Sequence, residues 1–131
     1  MFDLFTKISE DQARQLSPLT LAFVGDAVYS LLVREREVLI ADDKLNELQK
    51  RTSQVVSAKG QSELLHKIEC KFTQIEEDIF HRGRNAKKST KSKNASVAEY
   101  NASTGFEAVI GYLYLTGQYQ RLAELIEEDG R

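Results

Sequence analysis

Two acidic residues interrupt the most apolar stretches of the chain. Asp26 lies inside the apolar run 19–33, and Glu107 begins a second such run. An ionised carboxylate is costly in an apolar interior unless a partner or a cation compensates its charge. Two carboxylates on packed helices would suit a hard divalent cation such as Mg²⁺, which takes oxygen ligands and keeps several waters. A second interpretation stays open, in which Asp26 faces a solvated groove or pairs with Arg34 or Arg36.

A basic segment separates the two acidic motifs. Six of the residues from 82 to 93 are Arg or Lys, and none is acidic or large and apolar. This composition predicts a mobile, positively charged loop. Beside a metal site such a loop would serve a phosphate-rich polymer, because Mg²⁺ next to a phosphodiester activates water and stabilises the developing charge. The alternative is a loop that is simply solvated.

Composition limits the class of protein. The chain has 131 residues, of which 41% are hydrophobic and 29% charged, and these values predict one globular domain over residues 1–131. The net charge of −2 means that any nucleic-acid surface must be local. A single cysteine, Cys70, cannot form an intramolecular disulfide, and we expect it to be a buried or half-buried apolar residue. With no signal peptide and no apolar run long enough to span a bilayer, a cytoplasmic protein is expected.

Helical periodicity is widespread and strand patterns are weak, so the sequence predicts an all-α fold. Ser17 and Pro18 indicate the start of a long helix that is apolar on nearly every face up to Val33, and it should therefore be central and buried. Thr73 and Glu76 form a capping-box pattern at the start of a later helix. Helices are predicted at 9–15, 17–38, 43–56, 61–68, 74–84, 96–117 and 120–126.

Three further details of the helices are predicted. Asp42 or Asp43 is expected to cap the helix that follows it, and Gly60 to mark a break before the next. A further break is expected near 103–105, where Thr104 could act as a helix cap. Tyr29, Phe106 and Tyr112 suit either the core of one chain or an interface between two, and both interpretations stay open.

The segment Leu21-Ala22-Phe23-Val24-Gly25-Asp26-Ala27-Val28 resembles the signature helix of the ribonuclease III family, and 106–111 resembles that family's second acidic motif. Four features are similar to the Mini-ribonuclease III subgroup, which has no double-stranded-RNA-binding domain. They are the single-domain length, the segments 81–85 and 93–95, and the residues 111–115 that follow the second motif. The resemblance covers about Leu16 to Ile126.

This resemblance implies a dimeric, all-α endonuclease domain that cuts both strands of double-stranded RNA and leaves 5′-phosphate and 3′-hydroxyl ends. It implies that Asp26 and Glu107 bind Mg²⁺, and that the basic segment contacts RNA. It further implies maturation of large-subunit (23S) ribosomal RNA. The RNA-contacting residues would be Arg82, Arg84, Asn85, Lys87, Lys88, Lys91 and Lys93.

The chain also departs from the family pattern. Leu19, Ala22 and Thr104 stand where larger members carry further acids, so one metal ion, or a second weakly held one, is expected. Thr104 could instead hold a metal-bound water, and His81 is a candidate for protonating the leaving group. Two other functions are compatible with the sequence: an inert domain that binds structured RNA or ribosomal proteins, and a helical protein-interaction module.

Overall fold

Seven α-helices make up the described part of the computed structural model, which covers residues 7–88 and 96–127. They are α1 Glu10–Gln15, α2 Pro18–Ile40, α3 Leu45–Val56, α4 Ala58–Ile68, α5 Gln74–Asn85, α6 Val97–Leu115 and α7 Tyr119–Glu127. No strand occurs within these two ranges, which confirms the all-α prediction. None of the helices described there is both long and apolar enough to cross a membrane.

The local signals at the helix ends act as predicted. The Ser17 hydroxyl accepts a hydrogen bond from the Leu19 amide at 3.2 Å, with Pro18 in the first turn of α2. Thr73 and Glu76 form the expected capping box, in which the Thr73 hydroxyl accepts from the Glu76 amide at 3.2 Å. Gly117 adopts a φ of +74° just after α6 and ends it, because this left-handed conformation favours glycine.

Two predictions between α2 and α4 are wrong. The N-cap of α3 is Lys44, while the Asp43 carboxylate lies 3.4 Å from Arg51 Nη1 and makes an ion pair instead of a cap. The break before α4 lies at Ser57, whose hydroxyl accepts from the Gly60 amide at 3.1 Å, so Gly60 is inside the helix. A serine cap therefore determines this boundary and the glycine does not.

Helix α6 continues through residues 103–105, so the predicted break and the predicted Thr104 cap are wrong as well. The Thr104 hydroxyl donates to the Tyr100 carbonyl at 3.1 Å within the helix, which lets a polar residue lie in a buried turn. Gly105 is needed there for packing, because a side chain at this position would overlap the Phe80 carbonyl and ring of α5. Close packing thus explains the glycine that suggested a break.

Helices α2 and α6 form the centre of the fold, and α5 covers α6. Tyr29, Phe106 and Tyr112 are each at most 2% exposed, so they belong to the core of one chain. The Tyr29 and Phe106 rings meet edge to face with their centroids 5.0 Å apart, which joins α2 to α6.

The prediction that α2 is buried on nearly every face is wrong for one face. Phe23, Leu31 and Leu39 are 81%, 63% and 78% exposed. They line an apolar groove of about 1000 Å³ that also contains Tyr114, Tyr119 and Asp26. Cys70 is likewise exposed, because it lies in a 3₁₀ turn, Glu69–Lys71, beyond the end of α4.

Candidate metal centre at the crossing of two helices

Two glycines bring α2 and α6 into backbone contact. A Cβ atom on Gly25 would overlap the carbonyl oxygen of Glu107, and a Cβ atom on Gly111 would overlap the carbonyl oxygen of Leu21. The two positions thus face each other across the crossing. Since Asp26 follows Gly25 directly, this contact places its carboxylate beside Glu107.

The Asp26 and Glu107 side chains meet at this crossing. Glu107 is largely buried, whereas Asp26 is exposed at the edge of the groove. Burial, together with hydrogen bonding to Asp26 and charge repulsion from it, raises the pKa of Glu107 to about 8. With no cation beside it, the Glu107 carboxyl therefore keeps its proton near neutral pH and hydrogen-bonds to Asp26. Asp26 thus faces a groove, as the second interpretation expected, but it also meets Glu107, as the first one expected. The Arg34 guanidinium instead donates to the Ser30 hydroxyl.

Gln61 of α4 completes the surroundings of Glu107, and the sequence interpretation did not include it. Its Nε2 donates to Glu107 Oε2 at 3.2 Å, and this bond opposes the rise in the pKa of Glu107. The sequence does contain a signal for this position, because Gln61 precedes Leu64, Leu65 and Ile68 by three, four and seven residues. That spacing places a polar side chain on the buried face of α4, where it needs a partner.

The chemistry of the pair fits a divalent cation. Two adjacent carboxylates repel each other unless a proton or a cation lies between them, and Mg²⁺ is commonly held by one or two carboxylates plus water and substrate phosphates. Within 7–88 and 96–127, no group of three or more His, Cys, Asp or Glu residues is arranged to hold a metal. A cation between Asp26 and Glu107 would therefore have no third side chain of these types beside it in the described residues.

The end of α5, which carries the first residues of the basic segment, packs against the part of α6 that contains Glu107. A Cβ atom on Gly83 would lie 2.8 Å from Gly105 Cα and 3.2 Å from Ala108 Cβ, so this glycine packs against α6 within one turn of Glu107. Arg82 and Arg84 flank it. Arg82 and Asn85 are exposed, and Arg84 is half-buried with its guanidinium 5.5 Å above the Phe80 ring. The first residues of the predicted loop are therefore helical.

The remaining basic residues differ in their surroundings. Lys87 is exposed. The Lys88 ammonium donates to the carbonyls of Gly83, Arg84 and Ala86 at 3.1, 3.2 and 2.7 Å, and its partial burial lowers its pKa. Lys88 therefore caps the C-terminus of α5, where a cation is favourable. Lys91 and Lys93 lie outside the described residues.

His81 is engaged within α5. The Arg84 guanidinium donates to His81 Nδ1 at 2.8 Å, and His81 Nε2 lies 3.4 Å from a Glu77 carboxylate oxygen. These contacts hold the ring against its own helix. The proposed role of His81 in proton transfer stays a prediction.

Comparisons with known proteins agree with this geometry. A model of the ribonuclease III domain matches residues 19–118, which include both acidic motifs. A Mini-ribonuclease 3 from Symbiobacterium thermophilum is 46% identical over 112 residues, covering 86% of this chain and 86% of that protein. The chain belongs to the Mini-ribonuclease 3 group of the ribonuclease III family. Another group member, from Thermoanaerobacter, is 43% identical over 92% of this chain and 84% of its own length.

A solved structure shows the same fold. The crystal structure of a Fusobacterium nucleatum protein superposes with a TM-score of 0.81 at 32% identity, covering 87% of this chain and 93% of that chain. As a ribonuclease III family member, the protein is an endoribonuclease. The family acts on double-stranded RNA, depends on divalent metal ions and is typically dimeric.

Proposed function

We propose that this endoribonuclease uses Mg²⁺ held by Asp26 and Glu107 to cut double-stranded RNA. The observation that supports this most strongly is the meeting of the two carboxylates where α2 and α6 touch. Glu107 is largely buried beside a like charge, and both conditions favour a compensating positive charge at this position. We also propose that residues 1–131 act as a single catalytic domain.

The bound ion and the two carboxylates would have different roles in cleavage. A bound Mg²⁺ would supply a Lewis acid for the scissile phosphate and help to deprotonate a water. Asp26, exposed at the groove edge, and Glu107, largely buried beside it, would hold the ion. Attack of water at phosphorus breaks the bond to the 3′ oxygen, so that one product ends in 5′-phosphate and the other in 3′-hydroxyl.

The substrate we propose is a paired region of a large-subunit (23S) ribosomal RNA precursor, which would place the enzyme in the cytoplasm. A direct experiment incubates the protein and Mg²⁺ with a paired 23S precursor fragment, its separated single strands and a DNA duplex of the same sequence. We expect discrete cuts in the RNA duplex and none in the other two. Equal cutting of the single strands would contradict duplex recognition.

The basic residues at the end of α5 would bind the phosphate backbone, because A-form RNA presents backbone and 2′-hydroxyls more readily than base edges.

Lys87 and Lys88 are neighbours with different surroundings, so the same substitution at each can be compared. Lys87→Gln should weaken RNA binding, reduce the slope of log K against log salt by about 1, and leave the melting temperature unchanged. Lys88→Gln should lower the melting temperature, because three carbonyls of α5 lose their donor.

The measurement is a salt titration of duplex affinity in a catalytically inactive background, together with a thermal melt of each variant. An unchanged salt slope for Lys87→Gln would mean that this lysine is merely solvated. Neutralising Lys91 and Lys93 in addition should reduce the slope further.

A second copy of the chain is the partner we propose for the apolar groove on α2. Two strands need two sites, and a two-fold dimer presents both to one duplex. The groove contains Asp26 together with large exposed side chains such as Phe23 and Leu31, so pairing through this face would place two acid pairs on one composite surface. An apolar face this extensive commonly marks an interaction site.

Sedimentation analysis tests the dimer. We expect the wild type to sediment as a dimer and Leu31→Glu as a folded monomer, because Leu31 is 63% exposed in the single chain and its replacement leaves the core intact. Leu45→Glu, at an exposed leucine on α3 outside the groove, is the matched control and should remain dimeric. A Leu31→Glu protein that is still dimeric would place the interface elsewhere.

A further inference from the structure

One buried amide connects the acid pair to the junction between α3 and α4. Gln61 is 3% exposed, and both ends of its side-chain amide are engaged. Nε2 donates to the Val56 carbonyl at 3.0 Å and to Glu107 Oε2 at 3.2 Å, while Oε1 accepts from the Ser103 hydroxyl at 2.6 Å. The amide thus links the end of α3 to two successive turns of α6.

These contacts permit a single orientation of the amide. A backbone carbonyl can only accept, so the nitrogen of Gln61 must face Val56. The same nitrogen then has its second hydrogen directed at Glu107, and the oxygen is left to accept from Ser103. The donor that meets Glu107 is therefore fixed by two partners that are not part of the acid pair.

We propose that Gln61, oriented by Ser103 and Val56, is a positioning residue that holds Glu107 in the rotamer that binds the metal ion. The inference rests on the proposed function of the acid pair. The Gln61 amide bonds Glu107 Oε2 and not Glu107 Oε1. One oxygen of the Glu107 carboxylate is therefore held in place, and the other is available to a cation. A neutral donor suits this task, because a lysine or arginine in the same place would compete with the cation for the carboxylate. Partners that orient metal ligands commonly change metal affinity by about 10- to 100-fold.

Gln61→Leu tests the proposal, since it keeps much of the volume and removes the donor. The first readout is Mn²⁺ binding to the protein without RNA, followed by electron paramagnetic resonance of the free ion. We expect the Mn²⁺ dissociation constant to rise about tenfold in Gln61→Leu. Ser103→Ala, which leaves the amide less firmly oriented, should raise it by a smaller factor. Gln118→Leu is the control, because this half-buried glutamine bonds Thr116 at the far end of α6 and should leave Mn²⁺ binding unchanged.

Kinetics supply a second readout that a general loss of stability would not reproduce. At low Mg²⁺, Gln61→Leu should lower kcat with little change in KM for the RNA, and high Mg²⁺ should restore kcat. Unfolding, by contrast, would lower the active fraction at every Mg²⁺ concentration. If Gln61→Leu fails to fold, Ser103→Ala decides the question by the same two readouts.

The outcomes separate this inference from the proposed function. A wild-type protein that binds no Mn²⁺, or whose binding survives Glu107→Gln, would overturn the metal site itself and this inference with it. Wild-type binding that Glu107→Gln abolishes, but that neither Gln61→Leu nor Ser103→Ala weakens, would overturn only the role of Gln61.

Discussion

Replacing either carboxylate by its amide should abolish RNA cleavage and leave the fold intact. Asp26→Asn and Glu107→Gln keep the size and hydrogen-bonding shape of each side chain but remove the charge that would hold a cation. A loss of about 4 kcal/mol in transition-state stabilisation corresponds to a rate about 10³-fold lower. The measurement is the single-turnover rate on a paired RNA at saturating protein concentration.

Two controls make this result specific. Duplex affinity measured without divalent ions should be equal or slightly tighter for Asp26→Asn, because this variant removes an exposed negative charge. It should be unchanged for Glu107→Gln, because Glu107 is protonated near neutral pH when no cation is bound. Glu63→Gln, at an exposed carboxylate on α4, should cut at the wild-type rate. Cleavage by Asp26→Asn within tenfold of the wild type would exclude Asp26 from the mechanism.

Gly25→Ala should destabilise the protein strongly, although intrinsic helix propensity predicts the opposite sign. Alanine is favoured over glycine inside a helix by about 1 kcal/mol. At this position, however, the added methyl group would overlap the Glu107 carbonyl oxygen, and neither backbone can move without separating α2 from α6. We expect a net loss of at least about 2 kcal/mol in the free energy of unfolding, or a melting temperature about 10 °C lower.

The same variant should also lose cleavage, because separating the two backbones moves Asp26 away from Glu107. Chemical denaturation and the cleavage rate are measured on the same preparation. Thr20→Ala, at an exposed position on α2, provides the control for substitution within this helix. A Gly25→Ala protein as stable as the wild type would show that the helices do not cross as closely as described.

Much of the fold follows from local signals. The caps at Ser17 and Thr73 and the stop at Gly117 are determined by side chains within a few residues of each helix end, which a sequence displays directly. The acid pair was also predictable, because Asp26 lies within the apolar run of α2 and Glu107 within that of α6. The meeting of their carboxylates is consistent with that prediction.

The remaining features depend on contacts between residues far apart in the sequence. Gly105 is of a residue type that favours a helix break, yet it lies inside α6. A glycine is needed there because the carbonyl and ring of Phe80 leave no room for a side chain. Phe23 and Leu31 are of residue types typical of a core, but they remain exposed because no helix within 7–88 and 96–127 covers that face. Gln61 was missed because its partners, Ser103 and Glu107, are more than 40 residues away.

The most direct test of the metal centre is affinity cleavage of the protein itself. Fe²⁺ is allowed to replace Mg²⁺, and ascorbate and peroxide then generate hydroxyl radicals that cut the backbone near the bound ion. If Asp26 and Glu107 share one ion, the cuts should fall in α2 around residue 26 and in α6 around residue 107. Excess Mg²⁺ or the Glu107→Gln substitution should suppress both. Cuts confined to other helices, from a preparation that cleaves duplex RNA, would contradict a metal ion held between these two carboxylates.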